Sequence, residues 1–180
     1  MTITMTTRYG PLHIIDEPLY SFDSQDNPHR YSLEICLANG LPSSIHGIDL
    51  NHQRIMVVGA GGGCSTVHRH SALMIDDKLH LAVGDHVVCL SLDRPHRLLW
   101  SVRADAATCF GIHWNSHRSA LISHGEMEIS RISTDGDLMW RTSGADIFTG
   151  DFRLLPDYIE AVDFNSSAYR LDYRTGKTIF

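Results

Sequence analysis

A block of sequence recurs at an offset of 41 residues, and this restricts the possible folds more than any other feature of the chain. Ala82-Val-Gly-Asp85 leads into Val87-Val-Cys-Leu-Ser-Leu92, then Leu98-Leu-Trp100, then Ala104-Asp105 and Thr108. The later copy reads His124-Gly-Glu126, Glu128-Ile-Ser-Arg-Ile-Ser133, Leu138-Met-Trp140, then Ala145-Asp146 and Thr149. Gly84 to Gly125, Asp105 to Asp146 and Thr108 to Thr149 are each 41 residues apart, and Trp100 to Trp140 is 40. Several matches at one offset do not arise by chance. A period of this size with several short strands per unit is the pattern of propeller-like β arrays. A third, shorter copy closes the chain with Tyr158-Ile-Glu-Ala-Val-Asp-Phe164 and the strand beginning at Ala168.

Apolar or alternating runs separated by Gly, Asp, Asn, Ser and Pro fill the rest, and helical periodicity does not. They predict strands over 31–37, 55–58, 66–75, 79–83, 86–92, 97–103, 108–114, 119–124, 126–133, 138–142, 152–155, 158–164 and 168–174. Residues 1–30, with Pro11, Pro18 and Pro28, read as an irregular arm with one strand at most. The chain therefore divides into an arm (1–30), an N-terminal β segment (31–78) and about three blade-like repeats (79–177). Together they are expected to form one all-β domain over residues 1–180, built of antiparallel propeller-blade-like units that the N-terminal segment completes or covers. Trp100 and Trp140 are expected at equivalent, largely buried positions.

Leu171-Asp-Tyr-Arg-Thr-Gly-Lys177 is similar to the Leu-Asp-x-x-Thr-Gly-Lys ending of quinoprotein-like β-propeller repeats. His80-Leu-Ala-Val-Gly-Asp-His-Val-Val-Cys-Leu-Ser-Leu92 followed by Leu98-Leu-Trp-Ser101 resembles the same blade pattern, so the resemblance covers residues 79–177. It implies a strand order within each unit. Three units are too few to close such a ring, so the family's quinone chemistry does not carry over, no cofactor is expected, and the tryptophans read as packing residues.

The formal net charge of −6, with Lys78 and Lys177 the two lysines, argues against a nucleic-acid binder, which needs clustered cations. No run of eighteen apolar residues suggests a membrane span. The N-terminal stretch lacks the apolar run of a signal peptide, so the expected location is the cytoplasm. Cys36, Cys64, Cys89 and Cys109 form no CxxC pair and read as reduced thiols, with Cys89 in the core.

Two motifs invite a chemical reading. Gly59-Ala-Gly-Gly-Gly63 follows a strand, as a dinucleotide loop would, but Cys64 stands where the third fingerprint glycine belongs and no amphipathic helix pattern comes after it. His68-Arg-His70 places two imidazoles on one face of a strand, and with Cys64 they could share a divalent metal ion. Gly62 and His68-x-His70 partly match the first cupin motif, with His96 or His113 as a later ligand. The expected glutamate is absent: Met74 and Ile75 stand in its place, with Asp76 just beyond. The sixteen aspartates lie mostly in turn contexts, where they bond to nearby backbone.

The leading expectation is a non-catalytic binding or protein-interaction module that forms a homo-oligomer or takes a protein partner through exposed sheet edges. The alternatives are a cupin-like metal-dependent enzyme using His68 and His70, and a nucleotide binder using the Gly59–Gly63 loop.

Overall fold

A computed structural model describes residues 1–179, and among them there are strands and no helix. The first sheet contains β1 (Thr2–Thr7), β2 (Gly10–Asp16), β3 (Leu33–Cys36), β4 (Ser44–Leu50) and β5 (Gln53–Ala60). Its order is β1-β2-β4-β5-β3, antiparallel except for β3, which runs parallel to β5. Three antiparallel meanders complete the chain. The second sheet is β6 (Ala72–Ile75), β7 (Lys78–Val83), β8 (His86–Ser91) and β9 (Arg97–Arg103). The third is β10 (Cys109–Asn115), β11 (Ala120–Gly125), β12 (Glu128–Ile132) and β13 (Leu138–Ser143). The fourth is β14 (Phe152–Leu154), β15 (Tyr158–Val162) and β16 (Ala168–Asp172).

The sheets stack face to face in chain order, because alternate side chains of the inner strands point to opposite faces. On β7, Leu79, Leu81 and Val83 pack towards the first sheet, with Ile14, Ile48 and Met56, while Ala82 packs towards the third. On β11, Leu121 faces the second sheet, whereas Ala120 and Ile122 join Ile159, Leu171 and Phe148 of the fourth. Burial on both faces explains the unbroken apolar run of β8, Val87 to Leu90, all fully buried. The outer strands β9 and β13 bury one face and keep their alternation. The second sheet begins at Ala72, ahead of residue 79 where the repeat reading starts the blades, so β6 pairs with β7 and does not belong to the N-terminal sheet.

Both ends of the stack are closed off. On the outer face of the first sheet, Tyr20 and Tyr31 pack over Ile45 and Val57, with Phe22 alongside. Their hydroxyls donate to Glu34 and Glu17, each at 2.6 Å. The outer face of the fourth sheet is polar: the Arg170 guanidinium lies 5.3 Å from the Tyr158 ring, and Arg153 pairs with Glu160.

Three further sequence expectations are corrected. Residues 2–16 form the hairpin β1–β2 instead of an irregular arm, because Leu12 and Ile14 supply alternating fully buried positions despite Pro11. The strand expected over 66–75 begins only at Ala72; residues 64–70 are loop and turn. The repeat tryptophans are half-buried, on outer strands. They do occupy equivalent positions: the Trp100 indole N–H donates to the Thr134 carbonyl (3.0 Å) and that of Trp140 to the Tyr173 carbonyl (2.9 Å). Each indole thereby reaches the turn of the next unit.

Candidate functional site

The loop between the first two sheets ends in a tight turn. The Ser71 N–H donates to the His68 carbonyl (2.8 Å), and the His68 N–H donates to Ser71 Oγ (2.9 Å). This turn is pressed onto β10, whose Ile112 N–H donates to the His70 carbonyl (2.8 Å). Gly111 permits the approach, since a β-carbon there would lie 2.9 Å from that of His70. A register shift between Cys109 and Gly111 bends β10 at this point.

The result is a cleft of about 460 Å³ lined by Cys64, His68, His70, Phe110, His113, His124 and Phe152, with Arg69 and Asp151 at its margin. The two histidines of the His68-Arg-His70 motif and Cys64 are therefore brought together, and His113 joins them; His96 instead borders a separate cleft beside Tyr9. His124, Phe110 and Phe152 are not legible from sequence as site residues. A signal exists all the same: His70, Gly111 and Phe152 stand 41 residues apart in succession, so the repeat places the three at corresponding positions.

Aromatic contacts hold the rings together. The His70 and His113 ring centres are 4.5 Å apart, His113 lies 4.7 Å from Phe152, and His124 stacks on Phe152 at 4.5 Å. Desolvation pushes the His113 pKa down to about 3, and the neighbouring His70 and His124 push the same way. It takes His124 to about 4 against the opposing bond to the Phe148 carbonyl, and it lowers His70, helped by Arg69 and His68. His113 and His124 are therefore neutral near pH 7, and the same burial favours the neutral form of His70.

Their hydrogen bonds fix what each nitrogen can offer. His68 Nε2–H donates to the Phe110 carbonyl (2.5 Å), and its Nδ1 accepts the His70 backbone N–H (3.3 Å). His70 Nε2 accepts from Arg69 Nε (2.8 Å). His124 Nε2–H donates to the Phe148 carbonyl (3.2 Å). Among the described residues, no three His, Cys, Asp or Glu side chains are placed to hold one metal ion in this arrangement.

The glycine loop serves the fold. The Gly63 N–H donates to the Ala107 carbonyl, and the Asp85 N–H donates to the Gly61 carbonyl, both at 3.0 Å. A β-carbon on Gly62 (φ +82°) or Gly63 would collide with the Ala107 carbonyl or Thr108 Oγ1. Beyond Gly63 the chain runs through loop and turn into β6, so the loop does not open onto the helix N-terminus that a dinucleotide fingerprint uses.

The sheet edges differ sharply in how they are protected. The edge of β10 is occupied by the His70 carbonyl; β9 and β13 each face a bulged register and carry arginines; β3, β6 and β14 are four residues or fewer. The β16 edge is bridged at Leu171 by Thr178. By contrast, β1 is Thr-Ile-Thr-Met-Thr-Thr: six residues, uncharged, free of proline, in unbroken register with β2, and unpaired on its other side. No helix among the described residues is long and apolar enough to cross a membrane.

No protein-family model matches the chain, and no curated protein matches it. Among solved structures it is similar to the crystal structure of BamB from Moraxella catarrhalis, with a TM-score of 0.49 and 13% identity over 61% of this chain. The match spans 33% of that protein, so the chain corresponds to about a third of its length.

Proposed function

We propose that the chain is a non-catalytic interaction module that engages another chain by strand addition to β1. The observation that carries this reading is the contrast between β1 and every other sheet edge. Sheet edges are normally blunted by charge, proline, bulges or shortness, because an open row of backbone donors and acceptors recruits further strands. β1 has none of these devices, and four of its six residues are Thr, with Ile3 between two of them, residue types that favour strands. An uncharged strand meets its own copy without repulsion, so the simplest occupant is the β1 of a second copy, paired antiparallel about a two-fold axis. Sedimentation equilibrium tests this: the wild type forms dimers, and Thr2→Lys with Thr6→Lys, both on exposed positions, gives monomers of unchanged fold. A wild type that stays monomeric at every accessible concentration overturns the reading.

A second reading, a metal-dependent enzyme at the histidine cleft, draws on the two further imidazoles gathered beside His68 and His70. Neutral imidazole is the metal-binding form. In this reading His70 gives up its bond to Arg69 and joins His113 and His124 as a ligand, with Cys64 at the cleft margin. Metal content of the purified protein, compared with that of His70→Ala/His113→Ala, tests it. Stoichiometric metal lost in the double variant supports the reading, and its absence from the wild type overturns it.

A further inference from the structure

A second cavity, of about 350 Å³, opens where the glycine loop passes the start of β8 and the end of β9. Its chemistry differs from that of the histidine cleft, because it is organised around one buried carboxylate. Asp85 is 5% exposed and fixed at both its backbone groups: its N–H donates to the Gly61 carbonyl, and its own carbonyl accepts the Ala104 N–H (2.9 Å). Each oxygen of its side chain holds a different partner. Oδ1 accepts His86 Nδ1–H (2.6 Å), and Oδ2 accepts Arg103 Nε–H (2.8 Å). Arg103 is further anchored by Nη2–H donation to the Ala106 carbonyl (3.0 Å).

These bonds leave several polar groups on residues that line the cavity without protein partners. Among the described residues, neither Nη1 of Arg103 nor Nε2 of His86 has a protein hydrogen bond. The same is true of the backbone N–H groups of Gly61 and Gly62, and of the exposed side-chain amide of Asn39 at the rim. Gly62 takes a positive φ of 82°, and the chain on either side of it is held by the bonds of the Gly61 carbonyl to the Asp85 N–H and of the Gly63 N–H to the Ala107 carbonyl. Successive backbone N–H groups in such a bend make a concavity suited to an anion. A guanidinium, two amides and a side-chain amide around one cavity are the donor set that tetrahedral oxyanions require.

We infer that this cavity binds the phosphoryl group of a small ligand, with Arg103 supplying the charge and Gly61, Gly62 and Asn39 the neutral donors. Asp85 is a positioning residue: it satisfies Arg103 on one nitrogen while leaving another free for the ligand, and it orients the His86 ring at the cavity wall. The glycine loop thus offers phosphate two backbone donors without a dinucleotide fold. The site stands apart from the β1 edge and does not depend on it.

Titration of the assigned amide spectrum at constant ionic strength tests the inference, with inorganic phosphate and adenosine monophosphate as separate probes and chloride as the control. The expected result is a saturable shift confined to Asn39, Gly61, Gly62, His86 and the Arg103 side chain. Equal affinity for both probes assigns recognition to the phosphoryl group alone, and tighter binding of the nucleotide extends the site to the attached group. Arg103→Gln should weaken binding about tenfold or more, as loss of a charge-assisted hydrogen bond does. Because that variant also disturbs Asp85, Asn39→Asp is the companion: it adds a negative charge at an exposed rim position and should weaken binding with the fold intact. Shifts that are absent, unsaturable or spread over the surface overturn the inference, as does unchanged affinity in Asn39→Asp.

Discussion

The indole of Trp140 packs against Gly176 so closely that a β-carbon there would lie 2.5 Å from its Cε3 atom. One unit earlier, Trp100 stands in the same relation to Gly136, where a β-carbon would come within 2.7 Å of Cγ. Both glycines have positive φ, 68° and 93°. The Trp and the Gly of each pair belong to consecutive units, so the repeat encodes the joint between blades as well as the blades.

Gly136→Ala and Gly176→Ala should each destabilise the protein by about 1–3 kcal/mol, combining left-handed backbone strain with displacement of an indole. Trp140→Ala should cost about 2–3 kcal/mol, less than the ~3–5 of a fully buried aromatic, because the ring is half-exposed. In a double-mutant cycle, Trp140→Ala should remove part of the penalty of Gly176→Ala. Strict additivity in chemical denaturation would show that the contact carries no energy.

Asp105 is fully buried and accepts four backbone N–H groups, from Ala107 and Thr108 on Oδ1 and from Met127 and Glu128 on Oδ2. It ties the loop leaving the second sheet to the β11–β12 turn of the third. Asp105→Ala strands these donors, and a loss of about 3 kcal/mol or more is expected, since each buried unsatisfied group costs about 1–3. Wild-type stability in this variant would mean that water replaces the carboxylate.

Stability should fall as pH drops from about 6.5 towards 4. Unfolded histidine titrates near pH 6.5, whereas burial takes His80 and His124 down to about 4 and His113 to about 3 in the fold. Above pH 6.5 both states are neutral and the stability is fully present. Below it the unfolded chain binds protons that the folded chain refuses, so stability declines until the folded pKa values are reached. Thermal midpoints recorded between about pH 7.5 and about pH 5 should decline, and His113→Leu should flatten the slope. A flat wild-type profile would contradict the burial of these rings.

Two of the four thiols should react with a thiol reagent in the native state. Cys36 and Cys64 are exposed, while Cys89 and Cys109 are buried, with pKa values raised by desolvation to about 11 and about 12. Mass spectrometry after brief labelling should place both adducts on Cys36 and Cys64. Rapid labelling of Cys109 would show that the core between the second and third sheets opens.

The strands of the repeats are legible in the sequence because their faces are buried in a regular way: the alternation marks β9 to its correct ends, and most of its neighbours to within two residues. The hairpin β1–β2 is hidden by Pro11 and by threonines that pattern weakly. β4 is hidden because it is buried along almost its whole length with His46, Gly47 and Asp49 among its apolar residues. His68 and His70 are legible as neighbours but not as turn residues, since the alternation of Val67 and polar residues imitates a strand. His113 and His124 are gathered with them only by the stacking of separate sheets, which spacing along the chain does not reveal. Asp105 looks like one more turn aspartate, although the repeated Ala-Asp pair marks it.

The serial stacking of the four sheets also bears on how the molecule can come apart. Each apolar core joins one sheet only to its immediate neighbours, so cooperativity has to be relayed interface by interface along the stack. A defect in the last core, around Phe148 and Leu171, is separated from the first hairpin by two intact cores. Such an assembly behaves like a short one-dimensional chain of coupled switches, in which fraying starts at the terminal sheet and the middle two sheets, flanked on both sides, are the last to let go.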